Sequence, residues 1–292
     1  MIDDSPDSEG NAGSTANGAV GVVDPFSTGA VMASLLAQQG FKVVAIYSAK
    51  LEQLGNLQSL VPAGLKLEFD SILGFSSVSE MALYLKNLEW PVIAVIAGAE
   101  TGVELADQLS EVMGLTTNGT ALSEARRNKY VMGETVRAAG VRAVKQLRAS
   151  SWGAIEEWIV QWNPSPFKVI VKPLDSAGSD DVTLCLSLAD VQRAYGNIMG
   201  KINGLGLVNK AVLVQEYLEG QEYVVDMVSK DGEHKVAAIW EYDRRAANGA
   251  GFVVFGQRLL VESDDHCPAL IEYMKKVVTA LGIRYIPTYS QL

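Results

Sequence analysis

Cysteine, histidine and long apolar runs are all scarce in this sequence. Its 292 residues include two cysteines and two histidines. Two cysteines cannot build a disulfide framework, and neither Cys185 nor Cys267 has partners at metal-finger spacing, although His266 directly precedes Cys267. We therefore expect both thiols to be reduced and structural. No apolar run approaches the length of a membrane span, so we expect no membrane partner.

Basic charge is also in short supply. Lysine and arginine number 24 against 34 acidic residues, which gives a net charge of −10 and a pI of about 4.8. This balance excludes the broad basic surface of a nucleic-acid-binding protein, so an anionic small molecule would need a local cationic pocket. Residues 1–18 are acidic, small and polar, without the basic and apolar regions of a signal peptide. We expect them to be a disordered leader on a cytoplasmic protein.

Two glycine fingerprints of nucleotide-binding proteins are missing. The turn after the apolar strand at 20–23 lacks G-x-G-x-x-G, which argues against an NAD site, and the chain has no G-x-x-x-x-G-K-[ST], which excludes a P-loop NTPase. Strand patterns at 42–47, 65–69 and 92–97 nevertheless alternate with helical patterns such as 79–89. This alternation predicts a parallel, doubly wound layer.

Charged residues gather after this layer. Glu100 follows its last strand, where the carboxylate either faces a ligand crevice or caps the next helix. The helical pattern at 123–140 has Arg126, Arg127 and Lys129 in its first half. Because cations are favoured at helix C-termini, this placement indicates a nearby anion, with a solvated basic face as the alternative.

Residues 169–182 read VIVKPLDSAGSDDV and combine an apolar strand with one lysine and a small-residue loop. The β-branched run predicts a strand buried on both faces. Pro173 keeps Lys172 extended at the end of that strand. Four loop residues are small enough for main-chain amides to approach an anion: Ser176, Ala177, Gly178 and Ser179. The stretch is either a phosphate site or a surface charge at a sheet edge.

The rest of the chain shows four strand patterns, at 182–186, 211–218, 222–229 and 235–242. It also shows two helical patterns, one with a stripe at Val191, Tyr195, Ile198 and Ile202 and an amphipathic one at 270–281. The first of these strands is expected to pair with 169–171 across the loop. Glu222 and Asp226 share one strand face, which either meets solvent or lines a polar cleft. The segment at 243–252, DRRAANGAGF, predicts a long irregular loop that carries Arg244 and Arg245.

Six segments carry a resemblance to a known family when taken in order. They are VIAGAETGVELADQLS, RRNKYVMGETVRAAGV, VIVKPLDSAGSDDV, VLVQEYLEGQEYVVDMV, IWEYDRRAANGAGFVVFGQRL and LGIRYIPTYSQL. The order resembles that of ATP-grasp proteins, especially the carboxylate-amine ligase branch that includes L-amino acid ligases. The resemblance implies an α/β then α+β architecture. A Rossmann-like pre-ATP-grasp domain at 19–118 would be followed by a small ATP-grasp lobe at 119–205 and an incomplete second lobe at 206–292.

The resemblance also implies a nucleotide site. Lys129 and Lys172 match two lysines that contact the nucleotide phosphates, and the loop at 176–181 matches a flexible phosphate cover. Gln215 and Leu218 match hinge positions whose main-chain groups bind adenine. These expectations come from the family pattern.

Three further residues are implied to act beside the nucleotide. Glu222 matches the carboxylate that holds the ribose hydroxyls, and Arg244 and Arg245 lie where the family reaches phosphate or acyl phosphate. The family uses ATP, with magnesium, to activate a carboxylate as an acyl phosphate, which an amine then attacks as ADP and phosphate are released. An amino acid is the expected partner substrate, and a homodimer is left open. Which carboxylate and amine are joined has no recognisable code.

The end of the chain departs from the family pattern. Pro287, Tyr289 and Gln291 stand where a histidine and a glutamate are usual, and the neutral amide of Gln291 is a poor ligand for magnesium. The strand that would carry the next metal ligands is expected after Leu292, so the resemblance implies a C-terminally truncated chain without its metal site. The protein is then either a ligase of this family or an inactive nucleotide-binding remnant or scaffold.

Overall fold

The computed structural model describes residues 17–50, 59–174, 176, 180–204, 206–247, 250–261 and 264–291. These residues form strands β1 (Asn17–Val23), β2 (Phe41–Ile46), β3 (Ser71–Leu73), β4 (Val92–Ala97), β5 (Gln146–Ala149), β6 (Val169–Pro173), β7 (Thr183–Cys185), β8 (Val212–Glu216), β9 (Glu222–Lys230), β10 (Glu233–Ala247), β11 (Ala250–Leu259) and β12 (Ile286–Gln291). The helices are α1 (Thr28–Gln38), α2 (Val78–Lys86), α3 (Val103–Met113), α4 (Lys129–Ala138), α5 (Trp152–Trp162), α6 (Leu188–Ile198) and α7 (Cys267–Ala280). None of these helices has both the length and the hydropathy of a membrane span.

The predicted leader falls largely outside the described residues. Its last two residues, Asn17 and Gly18, are exceptions, because they already belong to β1. A hypothetical Cβ on Gly18 would come within 2.7 Å of the Pro91 carbonyl oxygen, so this glycine permits a close approach to the segment before β4. The first strand therefore begins earlier than the apolar pattern indicates.

The first sheet is parallel, with strand order β3-β2-β1-β4. One face packs on α2 and α3 through Ile46, Met81 and Leu109. The other face packs on α1 through Val43 and Ala33. Helices on both faces confirm the predicted doubly wound layer.

The strand predicted at 65–69 is wrong, because β3 begins only at Ser71. The Asp70 amide donates to the Val43 carbonyl oxygen at 2.9 Å, and the Asp70 carboxylate accepts from the Val43 amide at 2.9 Å. Asp70 thus binds both main-chain groups of Val43 in β2, one through its own amide and the other through its side chain. Leu67 and Phe69 pack against the α1 side of the core without forming a ladder. The apolar pattern at 65–69 therefore arises from side-chain packing on the core and does not indicate strand pairing within the described residues.

The second sheet is antiparallel, with order β5-β8-β6-β7. Val169, Val171 and Val214 point to one face, where they pack on α5 and α6. β6 carries Lys172 near its end, and β7 pairs with β6 across the intervening loop, as the sequence predicts. β8 stops at Glu216 and not at residue 218, because Glu216 is the last residue with a partner on β6.

The third sheet is antiparallel, with order β11-β10-β9-β12. The long irregular loop predicted at 243–252 is wrong: β10 continues to Ala247 and β11 starts at Ala250, so the segment belongs to a hairpin. Cross-strand pairing extends the ladder, in which Glu241 opposes Arg258 and Arg244 opposes Val254.

Helix α4 begins at Lys129, later than the predicted start near residue 123. The Asn128 side chain accepts hydrogen bonds from the amides of Tyr130 and Val131, at 3.0 and 3.2 Å, and so fixes the helix N-terminus. Val136 packs in the core between the third sheet and α7, while Tyr130 packs beside Leu213 of the second sheet. One short helix therefore contacts both antiparallel sheets.

The change from parallel to antiparallel sheets lies between β4 and β5. This sequence of sheets confirms the predicted α/β then α+β class. The domain boundaries predicted at residues 118 and 205 stay predictions.

Candidate functional site

A set of polar and apolar residues shares the face of the second sheet that points away from α5 and α6. Lys172 lies opposite Leu213, and Gln215 lies opposite both Ile170 and Gln146. Residues that oppose one another across antiparallel strands point to the same side, so these five residues form one surface. We call it the lysine face. Lys172 and Leu213 form one opposed pair of this face, and Gln215 and Gln146 form another.

Lys172 is held in an environment that disfavours its positive charge. Burial, and then the charge of nearby Lys129, lower the pKa of the Lys172 ammonium from 10.5 to about 8. Within the described residues, no carboxylate forms an ion pair with Lys172. Two ammonium groups placed close enough to repel each other would both be stabilised by a shared anion.

Lys129 is the first residue of α4, and its ammonium donates a hydrogen bond to the carbonyl oxygen of Ser176. The Ser176 hydroxyl donates in turn to the Asp180 carboxylate at 2.6 Å, and that carboxylate also accepts from the Gly204 amide at 2.7 Å. Of the predicted cover loop, Ala177, Gly178 and Ser179 lie outside the described residues. Ser176 and Asp180, which flank these three residues, are held by contacts from Lys129 and Gly204, respectively.

The two predicted hinge residues lie in different surroundings. Gln215 is in β8, which has neighbours on both sides, so its main-chain groups lie within the ladder and its side chain is 7% exposed. Leu218 lies two residues beyond the strand and is 58% exposed. The chain between β8 and β9 is therefore the more open part of this segment.

Glu222 and Arg244 form an ion pair. Arg244 Nε lies 2.6 Å from Glu222 Oε2, and Arg244 Nη2 donates to Oε1 at 2.9 Å. The Glu222 carboxylate, predicted to hold ribose hydroxyls, is thus already engaged by one of the predicted catalytic arginines. The pair has one hydrogen bond, from Nη2, and one close charged contact, from Nε, and its side chains are largely buried, with exposures of 27% for Glu222 and 16% for Arg244.

The neighbouring arginine lies elsewhere. Arg245 is 66% exposed at its side chain and pairs with Asp243 at 2.6 Å, and its guanidinium lies over the Phe255 ring. Successive strand residues point to opposite faces, which separates the two arginines that adjoin in sequence. The structure therefore brings Arg244, but not Arg245, to Glu222.

Sequence reasoning missed a network of amides and a carboxylate behind Gln215. Gln215 Nε2 donates to Gln146 Oε1 at 3.0 Å, and Gln146 Nε2 donates to the Tyr130 carbonyl oxygen at 2.8 Å and to Glu134 Oε1 at 2.9 Å. Arg137 pairs with the same carboxylate, and this hydrogen bond is the main cause that lowers the pKa of Glu134. No motif signals Gln146, because its partner is 69 residues away.

A polar cleft of about 390 Å³ adjoins this network. It is lined by Tyr130, Glu134, Arg137, Arg142, Ala143, Lys145, Gln146 and Glu216. Both carboxylates in the lining are paired with arginines in it.

The other two cations of the basic segment have partners within the protein. Arg126 donates to Asp107 at 2.9 Å and to the Leu281 carbonyl oxygen at 3.0 Å, and it also contacts Gly119 and Ser123. We call these five residues the Arg126 joint, because they connect α3, the segment before α4 and the end of α7.

Arg127 reaches back towards the first sheet. Its Nη1 atom lies 2.7 Å from Glu100 Oε2, at the carboxyl end of β4. The sequence predicts an anion near this basic segment. For Arg126 and Arg127, that anion is a carboxylate of the protein itself, Asp107 and Glu100 respectively. Lys129 differs in reaching a main-chain carbonyl oxygen beside the predicted phosphate loop.

The metal expected from the family resemblance has no assigned ligands. In the described part of the chain, no group of three acidic, histidine or cysteine side chains is placed to hold a metal ion. We therefore assign no residue to magnesium.

Comparison with known proteins gives a family match for the C-terminal part of the chain. Residues 165–291, which run from the segment just before β6 to the end of β12, match the ATP-grasp domain family. This part of the chain is therefore similar to an ATP-grasp domain. The lysine face and the third sheet both draw residues from this ATP-grasp region.

One curated relative is dapdiamide A synthase from Enterobacter agglomerans, which is 35% identical over 196 residues. The match covers 66% of this chain and 45% of that protein, so the chain spans about half the length of this relative.

Solved structures share the fold at low identity. L-amino acid ligase from Bacillus licheniformis has a TM-score of 0.68 at 14% identity, over 95% of this chain and 64% of that chain. An ADP complex of N5-carboxyaminoimidazole ribonucleotide synthetase has a TM-score of 0.67 at 14% identity, over 94% of this chain and 66% of that chain. At this identity the likeness establishes the ATP-grasp fold.

Proposed function

We propose that this protein binds ATP and takes part in joining a carboxylate, carried by an amino acid, to an amine. The observation that carries the proposal is the pair of lysines formed by Lys172 of the lysine face and Lys129 at the start of α4. The 35% identity to dapdiamide A synthase and the fold shared with an L-amino acid ligase support the reaction class.

The phosphates of ATP would lie against the two ammonium groups. An anion there offsets the repulsion between Lys172 and Lys129 and removes the cost of burying a charge without a partner. The loop held at Ser176 and Asp180 would close over the phosphates. Closure excludes water, which would otherwise hydrolyse an activated carboxylate.

The nucleoside would extend along the lysine face towards Gln215. Opposed pairs place Gln215 two residues along the strands from Lys172, a separation of roughly 7 Å at the usual strand rise. The exposed main chain at Leu218 would contact the adenine edge. Glu222 would hold the ribose hydroxyls while it shares its carboxylate with Arg244.

The chemistry assigned to these residues is electrostatic. ATP, when bound, supplies a phosphoryl group that activates the carboxylate as an acyl phosphate, and an amine then displaces phosphate. Lys129 and Lys172 would stabilise the negative charge on the transferring group. Arg244 and Arg245 are proposed to approach the phosphate or acyl phosphate, and Arg244 is the one already directed towards Glu222.

Lys172→Met tests the proposal. The substitution keeps the length of the side chain but removes a charge-assisted contact, so ATP should bind more weakly by about 1–3 kcal/mol in a calorimetric titration. Lys276→Met is the matched control, because Lys276 is an exposed lysine of α7 that pairs with Glu272. Its ATP affinity should equal that of the unchanged protein.

Equal ATP affinity in the Lys172→Met and Lys276→Met variants would contradict the phosphate site. Release of ADP in the presence of amino-acid pairs provides the second measurement. ATP binding without ADP release for any pair would indicate the non-catalytic nucleotide-binding role instead.

A further inference from the structure

We propose that residues 65–69 are the contact through which two copies of this chain associate, each segment pairing with the same segment of the other copy as an antiparallel strand. The segment lies directly before β3, the edge strand of the first sheet, so the proposal is independent of the ATP site. Three features of the segment carry it: its main chain, the alternation of its side chains and its charges.

The main chain of this segment has no ladder partner in the part of the chain that the structure describes. Residues 65–69 form no helix, strand or turn. The Leu65 amide donates to the Pro62 carbonyl oxygen, and the next main-chain hydrogen bond is the one from Asp70 to Val43. The amides and carbonyl oxygens of residues 66–69 are therefore available to another strand. A sheet edge with unpaired main-chain groups is a template for pairing with a second chain.

The side chains of the segment alternate between the core and solvent. Leu65, Leu67 and Phe69 are partly buried, and the last two pack on the α1 side of the core. Lys66 and Glu68 are exposed. Alternation with a period of two is the pattern of an extended strand. The segment thus has the side-chain arrangement of a strand and lacks only a neighbouring strand.

The two exposed charges complement a second copy of the same segment. In antiparallel pairing centred on Leu67, Lys66 of each copy lies opposite Glu68 of the other, and opposite charges at such positions stabilise the pair. Pairing centred on Phe69 would instead place Glu68 opposite Asp70, and like charges there are unfavourable. The charges therefore favour one register, and that register has two-fold symmetry.

The neighbouring surface also suits a second copy of an acidic protein. α1 contains no charged residue, and its Val31 and Leu35 side chains are 40% and 54% exposed. Two copies with a net charge of −10 repel each other, so they approach best where the surface is neutral. The charges of Lys66 and Glu68 cancel. A groove of about 360 Å³ between α1 and the segment is lined by Ala33, Ser34, Ala37, Gln38 and residues 66–69.

Analytical ultracentrifugation of the full chain tests the proposal. The unchanged protein should form a dimer. Glu68→Lys should raise the dissociation constant of that dimer about tenfold or more, because lysines then oppose lysines in two symmetric pairs. Lys66→Glu should have the same effect through opposed glutamates. Both positions are exposed, so neither substitution alters the core.

Mixing the two variants gives the deciding measurement. The two glutamates of the Lys66→Glu copy would oppose the two lysines of the Glu68→Lys copy, so a dimer with one copy of each should form where each variant alone is monomeric. A variant carrying both substitutions should dimerise like the unchanged protein. Lys276→Glu makes the same change in net charge on the exposed side of α7. As the matched control, it should leave the dissociation constant unchanged.

Three results would overturn the proposal. One is a chain that stays monomeric at every concentration, since this edge would then serve another occupant or none. Another is a dimer that both Glu68→Lys and Lys66→Glu leave intact, because its interface would lie elsewhere. The third is a dimer that both substitutions disrupt but that neither mixing nor the combined variant restores, because Lys66 and Glu68 would then not oppose each other.

Discussion

Arg126 in the joint and Lys172 on the lysine face are both cations withdrawn from solvent, and their surroundings differ. The Arg126 side chain is 5% exposed and contacts a carboxylate, a hydroxyl and two carbonyl oxygens. Lys172 is also largely buried, but the charge that lowers its pKa, after burial itself, is another ammonium, that of Lys129. The terminal nitrogens of the first cation contact oxygen atoms of the protein, although its buried Nε atom has no hydrogen-bond partner. Among the described residues, no carboxylate forms an ion pair with the second cation.

This difference distinguishes a structural charge from a binding charge. Removing a buried ion-pair partner leaves the remaining charge uncompensated and is costly. Removing a buried cation that has another cation beside it relieves repulsion and desolvation. Charge and burial alone would not separate Arg126 from Lys172, whereas their partners do.

The largest expected effect is on stability in the Arg126 joint. Arg126→Met should lower the free energy of unfolding by about 3–5 kcal/mol, because Asp107 is left buried with only Ser123 as a partner. The measurement is urea unfolding. Arg193→Met is the matched control, because Arg193 forms an exposed pair with Asp190, and its cost should stay below about 1 kcal/mol.

Lys172→Met in the same unfolding experiment sharpens the comparison. Its free energy of unfolding should be unchanged or higher than that of the unchanged protein. If Lys172→Met lowered the free energy of unfolding as much as Arg126→Met does, Lys172 would be a structural cation. The proposed difference between Lys172 and Arg126 would then be wrong.

The next effect is the pH dependence of ATP affinity. The pKa of Lys172 is lowered to about 8, chiefly by burial, and phosphate binding requires the ammonium form. From pH 7 to pH 9 the protonated share of free protein falls from about nine-tenths to about one-tenth, so ATP affinity should fall about tenfold. Lys172→Arg keeps its charge in this range and should abolish most of the fall in calorimetric titrations.

The contribution of Lys172 to the free energy of unfolding should rise over the same increase in pH that weakens ATP binding. The folded pKa of Lys172 lies below its unfolded value of 10.5, so the unfolded chain binds more protons between these two values. The destabilisation due to the buried ammonium is fully present below about pH 8 and is lost as pH rises towards 10.5. An ATP affinity that stays constant from pH 7 to pH 9 would contradict the assignment of Lys172 to the phosphates.

The smallest effect concerns α4, the helix that contacts both antiparallel sheets and presents Lys129. Asn128→Ala removes the side-chain cap of its N-terminus and should cost about 1 kcal/mol of unfolding free energy. Ser151→Ala is the control, because Ser151 precedes α5 without a capping hydrogen bond from its side chain. Equal costs at the two positions would show that the Asn128 cap does not fix the start of α4.

Local patterns predicted the elements that local chemistry fixes. The β-branched run before Lys172 gave a strand, and Gly282, with its φ of +66°, follows α7 as a helix-ending residue should. The hairpin from β10 to β11 was missed because alanine, glycine and asparagine are typical of loops. Cross-strand contacts such as Glu241 with Arg258 are invisible in a single stretch of sequence.

Some residues of the candidate site were likewise predicted from the sequence, and others were identified only from the structure. The order of motifs was enough to single out Lys129, Lys172, Gln215, Leu218 and Glu222. It could not separate Arg244 from Arg245, since only the pleat of β10 sends them to different surroundings. Gln146 became visible only when the register of β5 against β8 was known.

The sequence by itself determined the family resemblance, the classes of sheet and the residue types that suit a nucleotide phosphate. Tertiary structure decided which cations already have partners, because burial and ion pairing depend on residues far apart in the chain. It also decided the orientation of the Gln215 amide, through a carboxylate on α4 and a glutamine on β5. A hydrogen bond has a direction, and that direction is set by whichever groups the fold brings together.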